Sequence, residues 1–184
     1  PSDENEARGL RWEQPKSGLR YLVAADTMTG ETQVSGKDPD NHAVGVLRAG
    51  YFDPDKGWVP PRLVAQLVSD WGLWQRNKKY ELRFDIDVLE VQVWRLAQYY
   101  GNAVIVPEIN MDRGLVELLK LRSANIFVRT IFNRREMTED KSYGWKTDSS
   151  TREAMIENLA RAIREVGKQS EGVVIHSPIV LSEL

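Results

Sequence analysis

The sequence predicts an α/β fold: a central mixed sheet of five or more strands, begun as an antiparallel three-strand meander and flanked by helices. Three observations predict it. Short apolar runs of strand length recur early in the chain, joined by connections without helical pattern. Later apolar runs alternate with stretches whose apolar residues return every third or fourth position, as on one face of a helix. The chain has 184 residues and 41% hydrophobic content, enough for one domain with a single core.

The elements follow in order. Pro1 to Ser17 is charged and aperiodic and reads as a linker or arm, so folding is expected from Gly18 to Leu184. Tyr21-Leu-Val-Ala-Ala is a buried-strand pattern that ends at Asp26. Thr27 to Asn41, with Gly30, Gly36 and Pro39, is a loop, and Ala43 to Ala49 is the second strand. Tyr51 to Pro61 is a turn cluster carrying Pro54, Gly57, Pro60 and Pro61, and Leu63 to Val68 is the third strand. Trp71 to Lys79 mixes aromatic and basic residues and is expected to protrude. Asp85 or Asp87 caps a helix to about Tyr100, with Leu89, Val93, Leu96 and Tyr100 on its apolar face, and Gly101 ends it. Ala103 to Val106 is a fourth strand running into Pro107 and Glu108; Asn110 or Asp112 then caps a helix to Leu121. Ile126 to Phe132 is a fifth strand, Asn133 to Ser150 a polar segment, and Thr151 to Val166 an amphipathic helix with Ile156, Leu159, Ala160 and Ile163 on one side. Val173 to Ile175 is one more short extended piece. An antiparallel meander feeding parallel strands through right-handed crossovers matches the ribonuclease H-like fold, which alone assigns no chemistry.

Composition narrows the function. With no cysteine, disulfides and cysteine-ligated zinc are excluded, and a metal must be held by oxygen or by His42 and His176. Twenty-five Lys and Arg against 27 Asp and Glu leave a net charge of -2, so a nucleic-acid partner would have to be gripped by local basic groups. No apolar run approaches the roughly 20 residues that span a bilayer, and the acidic, polar start is unlike a signal peptide; a soluble intracellular protein is expected. Starting at Pro1 and stopping at Leu184 after an apolar run, the chain reads as an excised fragment. Gly36-Lys37 and Gly167-Lys168 lack the upstream glycine and following Ser or Thr of a phosphate-binding loop, so no ATP hydrolysis is expected.

Two acids stand at the ends of buried strands: Asp26 after YLVAA and Glu108 after AVIVP. In the inferred topology those strands are neighbours in the middle of the sheet, so both carboxylates emerge at one edge, close enough to share cations. Phosphodiester hydrolysis by two metals roughly 4 Å apart needs such a pair. Oxygen ligands suit Mg²⁺ or Mn²⁺. On spacing alone, helix-capping or surface roles stay open for both acids.

The surrounding words narrow the choice. YLVAADTMTGE followed by KDPDNHAVGVL, RLAQYYGNAVIVPEINMDRGLVELLK and YGWKTDSSTREAMIENLARAIRE together resemble, in order, segments of the nuclease domain of phage terminase large subunits, from about Gly18 to Leu184. The resemblance implies a ribonuclease H-like endonuclease that cuts concatemeric viral DNA during packaging, with Asp26 and Glu108 as first and second ligands of two Mg²⁺ or Mn²⁺ ions. It implies a third acid on a C-terminal helix beyond a strand like VVIHSPIVLSEL, past Leu184, so that this chain would be weakly active or inactive. Glu183, expected to begin that helix, and Asp148 are substitutes for the third acid, and Asp40 is a possible metal-adjacent acid against a turn-capping role. The implied partners are double-stranded DNA, the ATPase domain of the full-length chain, and the portal and small terminase subunit, in the host cytoplasm, with the isolated domain a monomer and no membrane involved.

Lys146, Thr147 and Arg152, with a helix N-terminus near Ser149, are candidates to contact DNA phosphates, against a reading as solvated charges. Arg129, Arg134, Arg135 and Lys141 would form one wall of a DNA groove or a solvated loop. Trp71, Trp74, Arg76, Lys78 and Lys79 suit nucleic-acid stacking, or more simply an insertion packed on protein. His42 and His176 read as satisfied edge residues. The competing functions are another ribonuclease H-like nuclease, of resolvase or transposase type, and a non-catalytic DNA- or portal-docking module.

Overall fold

The computed structural model describes residues 8–27, 42–68, 85–110, 113–133, 138–165 and 172–183. Among these, five strands form the central sheet in the order β1-β6-β3-β2-β7: β1 (Arg8–Arg11), β2 (Tyr21–Asp26), β3 (Ala43–Arg48), β6 (Arg62–Val68) and β7 (Val104–Pro107). Pairing is antiparallel except between β2 and β7, which run parallel with Ala25 opposite Pro107. This is the mixed sheet the sequence predicts, with the meander β2-β3-β6 intact. The short β4 (Tyr51–Asp53) and β5 (Gly57–Val59) pair as a small hairpin in what reads as a turn cluster.

Side chains alternate across the sheet because successive Cβ atoms of a strand point to opposite faces. Tyr21, Val23 and Ala25, with Val44, Val46 and Ile105, are buried against α1 (Ile86–Tyr99) and α2 (Gly114–Leu121), whose Leu89, Val93, Ala97, Leu115 and Leu119 complete the core. Glu90 is buried on the same helix and pairs with Arg122 just past α2, which also lies over the Trp94 ring. Tyr100 closes the core floor: its hydroxyl donates to the Glu13 carbonyl at 2.8 Å, and burial, then the neighbouring Tyr99, pushes its pKa up to about 12. At this lower rim Arg48 donates to both carboxylate oxygens of Glu13 at 2.9 Å.

Several expectations are corrected. Folding does not start at Gly18: Arg8–Arg11, inside the segment read as an arm, pairs with β6 as an edge strand. An edge strand has a single ladder neighbour, so it needs no apolar run and left none to read. The stretch from Ile126 does not join the sheet as a full fifth strand. It bridges Ile105 only at Ile126, flanked by hydrogen bonds of 2.8 Å, then leaves as β8 (Val128–Asn133) to pair with β9 (Thr138–Tyr143). Within the named strands β7 therefore ends the sheet instead of lying in its middle.

Of the first two helix starts, one agrees with expectation and one differs. Asp85 occupies the N-cap position of α1 without a side-chain capping bond, and Arg113 takes that position on α2 in place of Asn110 or Asp112. The expected strand in VVIHSPIVLSEL is a single bridge, Val174 to Arg62, followed by α4 (Pro178–Glu183). Ser177 Oγ accepts from Val180 N at 3.3 Å, and proline at the first helical position lacks only an N–H that the helix would not use. Glu183 thus closes a helix that it was expected to open.

Candidate active site

Asp26 is the last residue of β2 and Glu108 the first after β7, and the register that sets Ala25 against Pro107 puts the two on the next rung. The Glu108 N–H donates to Ala25 O at 2.8 Å, which fixes the rise of one strand on the other. By alternation both acids belong to the sheet face turned away from α1. There they line a groove of about 480 Å³ with Ala24, Gly45, Gln66 and Val106 of the sheet. Trp145 and Thr147 wall one side; Met155 of α3 (Ser149–Arg164) and Val180 of α4 reach it from above. The expected juxtaposition of the two carboxylates at one rim is what the strands produce.

The two rims of the sheet differ in what their acids touch. Glu13, at the lower rim, is held by Arg48 at 2.9 Å and approached by Lys16 and Arg62, a set of partners typical of a structural ion pair. Glu108, half-buried at the upper rim, makes no side-chain hydrogen bond or ion pair with a described residue. Asp26 is exposed and has an interaction of its own. A carboxylate kept out of ion pairs at the mouth of a groove, as Glu108 is among the described residues, retains lone pairs for a cation.

Chain segments next to Glu108 are locked by backbone. Trp145 N donates to Pro107 O at 2.8 Å and Ile109 N to Trp145 O at 2.9 Å, a parallel bridge between Glu108 and Trp145. Gly144 makes the approach possible: its φ is +81°, and a Cβ there would stand 2.6 Å from Ile109 Cγ2 and 2.7 Å from the Pro107 carbonyl. Trp145 Nε1 is buried without a hydrogen-bond partner among the described residues, and Arg129 lies 5.7 Å over its ring. So Arg129, expected in a basic wall, packs on this tryptophan.

Of the phosphate-contact candidates, Lys146 and Arg152 are exposed and Thr147 half-buried. Thr147 lines the acid groove and also a second hollow of about 720 Å³ that includes Arg152. The N-terminus of α3 is not an open anion site, because Asp148 caps it, accepting from Thr151 N at 2.9 Å. Asp148 thus has a structural task at the start of α3. Lys141 and His176 are exposed and His42 is buried with a partner. Asp40, Arg134, Arg135, Trp71, Trp74, Arg76, Lys78 and Lys79 lie outside the described residues, and among those described no three His, Asp or Glu side chains gather as a metal cluster. Sequence reasoning misses Trp145 as part of this site, although the YGWKT word holds it.

No family model and no curated protein matches the sequence. Solved structures do. The large terminase nuclease from thermophilic phage G20c with bound magnesium is 19% identical, with 96% of this chain and 68% of that chain covered at a TM-score of 0.55. The same nuclease with bound cobalt is 18% identical at 0.56, over 96% of this chain and 68% of that one. The Thermus phage P74-26 large terminase nuclease domain is 19% identical at 0.52, over 95% of this chain and 66% of that one. The fold is therefore the ribonuclease H-like fold of the phage large terminase nucleases.

Proposed function

We propose that this chain is the endonuclease domain of a DNA-packaging terminase, cutting concatemeric phage DNA by metal-dependent phosphodiester hydrolysis. One observation carries the reading: Asp26 and Glu108 sit opposite each other on one rung at the ends of neighbouring parallel strands, at the mouth of a groove, on the fold of the phage terminase nucleases. The donor set fits a hard divalent cation, since the acids present only oxygen, the chain has no cysteine, and Glu108 has no competing ion pair among the described residues. Two Mg²⁺ or Mn²⁺ ions bound there would lower the pKa of the attacking water and neutralise the leaving oxygen.

The chain's own residues do the rest. Asp26 and Glu108 would hold the cations, on backbones that the β2–β7 register fixes relative to each other. Lys146 and Thr147, on the segment beside Glu108, and Arg152, in the neighbouring hollow on α3, neutralise and orient the DNA backbone. Asp40, Arg134 and Arg135 are retained as a metal-adjacent acid and phosphate contacts. Double-stranded DNA is the substrate; the ATPase domain, portal and small terminase subunit are the partners, in the host cytoplasm.

Asp26→Asn and Glu108→Gln test the reading. Each is expected to abolish Mn²⁺-dependent nicking of supercoiled plasmid while leaving the circular dichroism spectrum unchanged. Undiminished nicking by either variant refutes the assignment, and a strong preference for branched over linear duplex would favour a resolvase.

A further inference from the structure

Beyond Ile109 the ladder next to Glu108 continues in an unusual way. The rungs formed by Trp145 N to Pro107 O and Ile109 N to Trp145 O are backbone to backbone. In a continuing parallel ladder, the next rung would join the Thr147 peptide groups to the backbone beyond Ile109. Here the Asn110 side chain makes that rung: Thr147 N donates to Asn110 Oδ1 at 2.7 Å, and Asn110 Nδ2 donates to Thr147 O at 2.7 Å. A carboxamide carries one acceptor and two donors, so it can stand in for a peptide group. Asp would keep the acceptor but set a carboxylate oxygen against the Thr147 carbonyl, and Ala would supply neither bond.

The substitution of side chain for backbone has a geometric consequence. The clamp at Asn110 holds the 145–147 segment parallel to β7 for one residue more, and α2 begins at Gly114. That residue is Thr147, which lines both the groove of Asp26 and Glu108 and the hollow of Arg152. Its hydroxyl has no hydrogen-bond partner among the described residues, and neither has the Lys146 ammonium. Both groups are therefore held in place by backbone and left free at their tips.

We propose that Asn110 is a positioning residue for the DNA backbone: by clamping the Thr147 peptide groups it sets the Thr147 hydroxyl and Lys146 where a phosphate beside the acid groove meets them. The proposal rests on the nuclease reading for its substrate. It assigns Asn110 to DNA binding and leaves cation binding to Asp26 and Glu108.

Two measurements on the purified protein test it: plasmid nicking in Mn²⁺, and binding of a short fluorescent duplex in Ca²⁺ by anisotropy. Asn110→Ala and Asn110→Asp are expected to weaken duplex binding and raise the half-saturating plasmid concentration roughly tenfold, the scale of one lost hydrogen bond to a charged group. The nicking rate at saturation and its Mn²⁺ dependence should stay as in the parent. Thr147→Val, which keeps the backbone clamp and removes the hydroxyl, should reproduce most of the binding loss. Unchanged duplex binding in Asn110→Ala overturns the proposal, as does a loss confined to the saturating rate or to melting temperature. The nuclease reading fails separately, through persistent nicking by Glu108→Gln, and the anisotropy arm still reads Asn110 in that case.

Discussion

Helices α1 and α3 carry the same kind of pattern, apolar residues returning every third or fourth position, and the fold treats them in opposite ways. On α1, Leu89 and Val93 are 0% and Ala97 1% exposed; on α3, Met155, Ile156, Leu159 and Ile163 are 46%, 58%, 39% and 37% exposed. The difference lies in what the sheet offers each. Toward α1 it presents Tyr21, Val23, Val46 and Ile105, large side chains that interdigitate with a helix face. Toward α3 it presents Ala24, Gly45, Gln66 and the two acids along with Leu63 and Val106, and a groove of about 480 Å³ stays open there. One face of the sheet is packed, and the other carries the open groove. A periodic pattern predicts a helix; the partner surface decides whether its apolar stripe is buried.

The contrast can be broken most severely on the packed side. Leu89→Ala removes a fully buried side chain from the core and should cost about 2–5 kcal/mol of unfolding free energy, read by urea denaturation. Activity per folded molecule should survive, because Leu89 lies on the face opposite the acids. A cost under about 1 kcal/mol would mean that the α1 face is not packed as described. Gly144→Ala acts at the join of the two faces. A left-handed backbone costs an L-residue about 1–2 kcal/mol, and here the new methyl also meets Ile109 and the Pro107 carbonyl. The segment must shift off β7, so this variant should lose nicking activity out of proportion to its modest loss of stability. Full activity with a normal melting temperature would show that the Trp145–Glu108 bridge is dispensable.

Much of this arrangement was legible beforehand, for identifiable reasons. Asp26 and Glu108 could be found because each ends an apolar run of strand length, and the crossover rule makes the strands before them neighbours. What stayed hidden lacks such a signal. β9 is Thr-Glu-Asp-Lys-Ser-Tyr, a polar hairpin strand held by pairing with β8 alone, with no buried face to impose alternation. β1 sits among charges because an edge strand can. Asn110 before a helix reads as a cap, and nothing in its identity announces that its amide would complete a ladder with a segment 37 positions away. Ser177-Pro178 carries a helix-start signal, but the apolar run on either side of it reads as a strand.

The smallest expected effect is the one that tests the comparison most directly. Ile156→Ser replaces an exposed apolar side chain on α3, so the hydrophobic loss should be slight, and serine lowers helix propensity only modestly; the net change should fall within about 0.5 kcal/mol. The same substitution in a buried stripe would cost several times that amount, since it would remove packing and bury a hydroxyl without an assured partner. Denaturation of Ile156→Ser beside Leu89→Ala therefore measures the asymmetry of the sheet in one experiment. If the two variants lose similar stability, α3 is packed in solution and the groove over Asp26 and Glu108 is narrower than its walls suggest. If Ile156→Ser is silent, the apolar stripe of α3 contributes little to holding the domain together, and the open face is a property of the molecule.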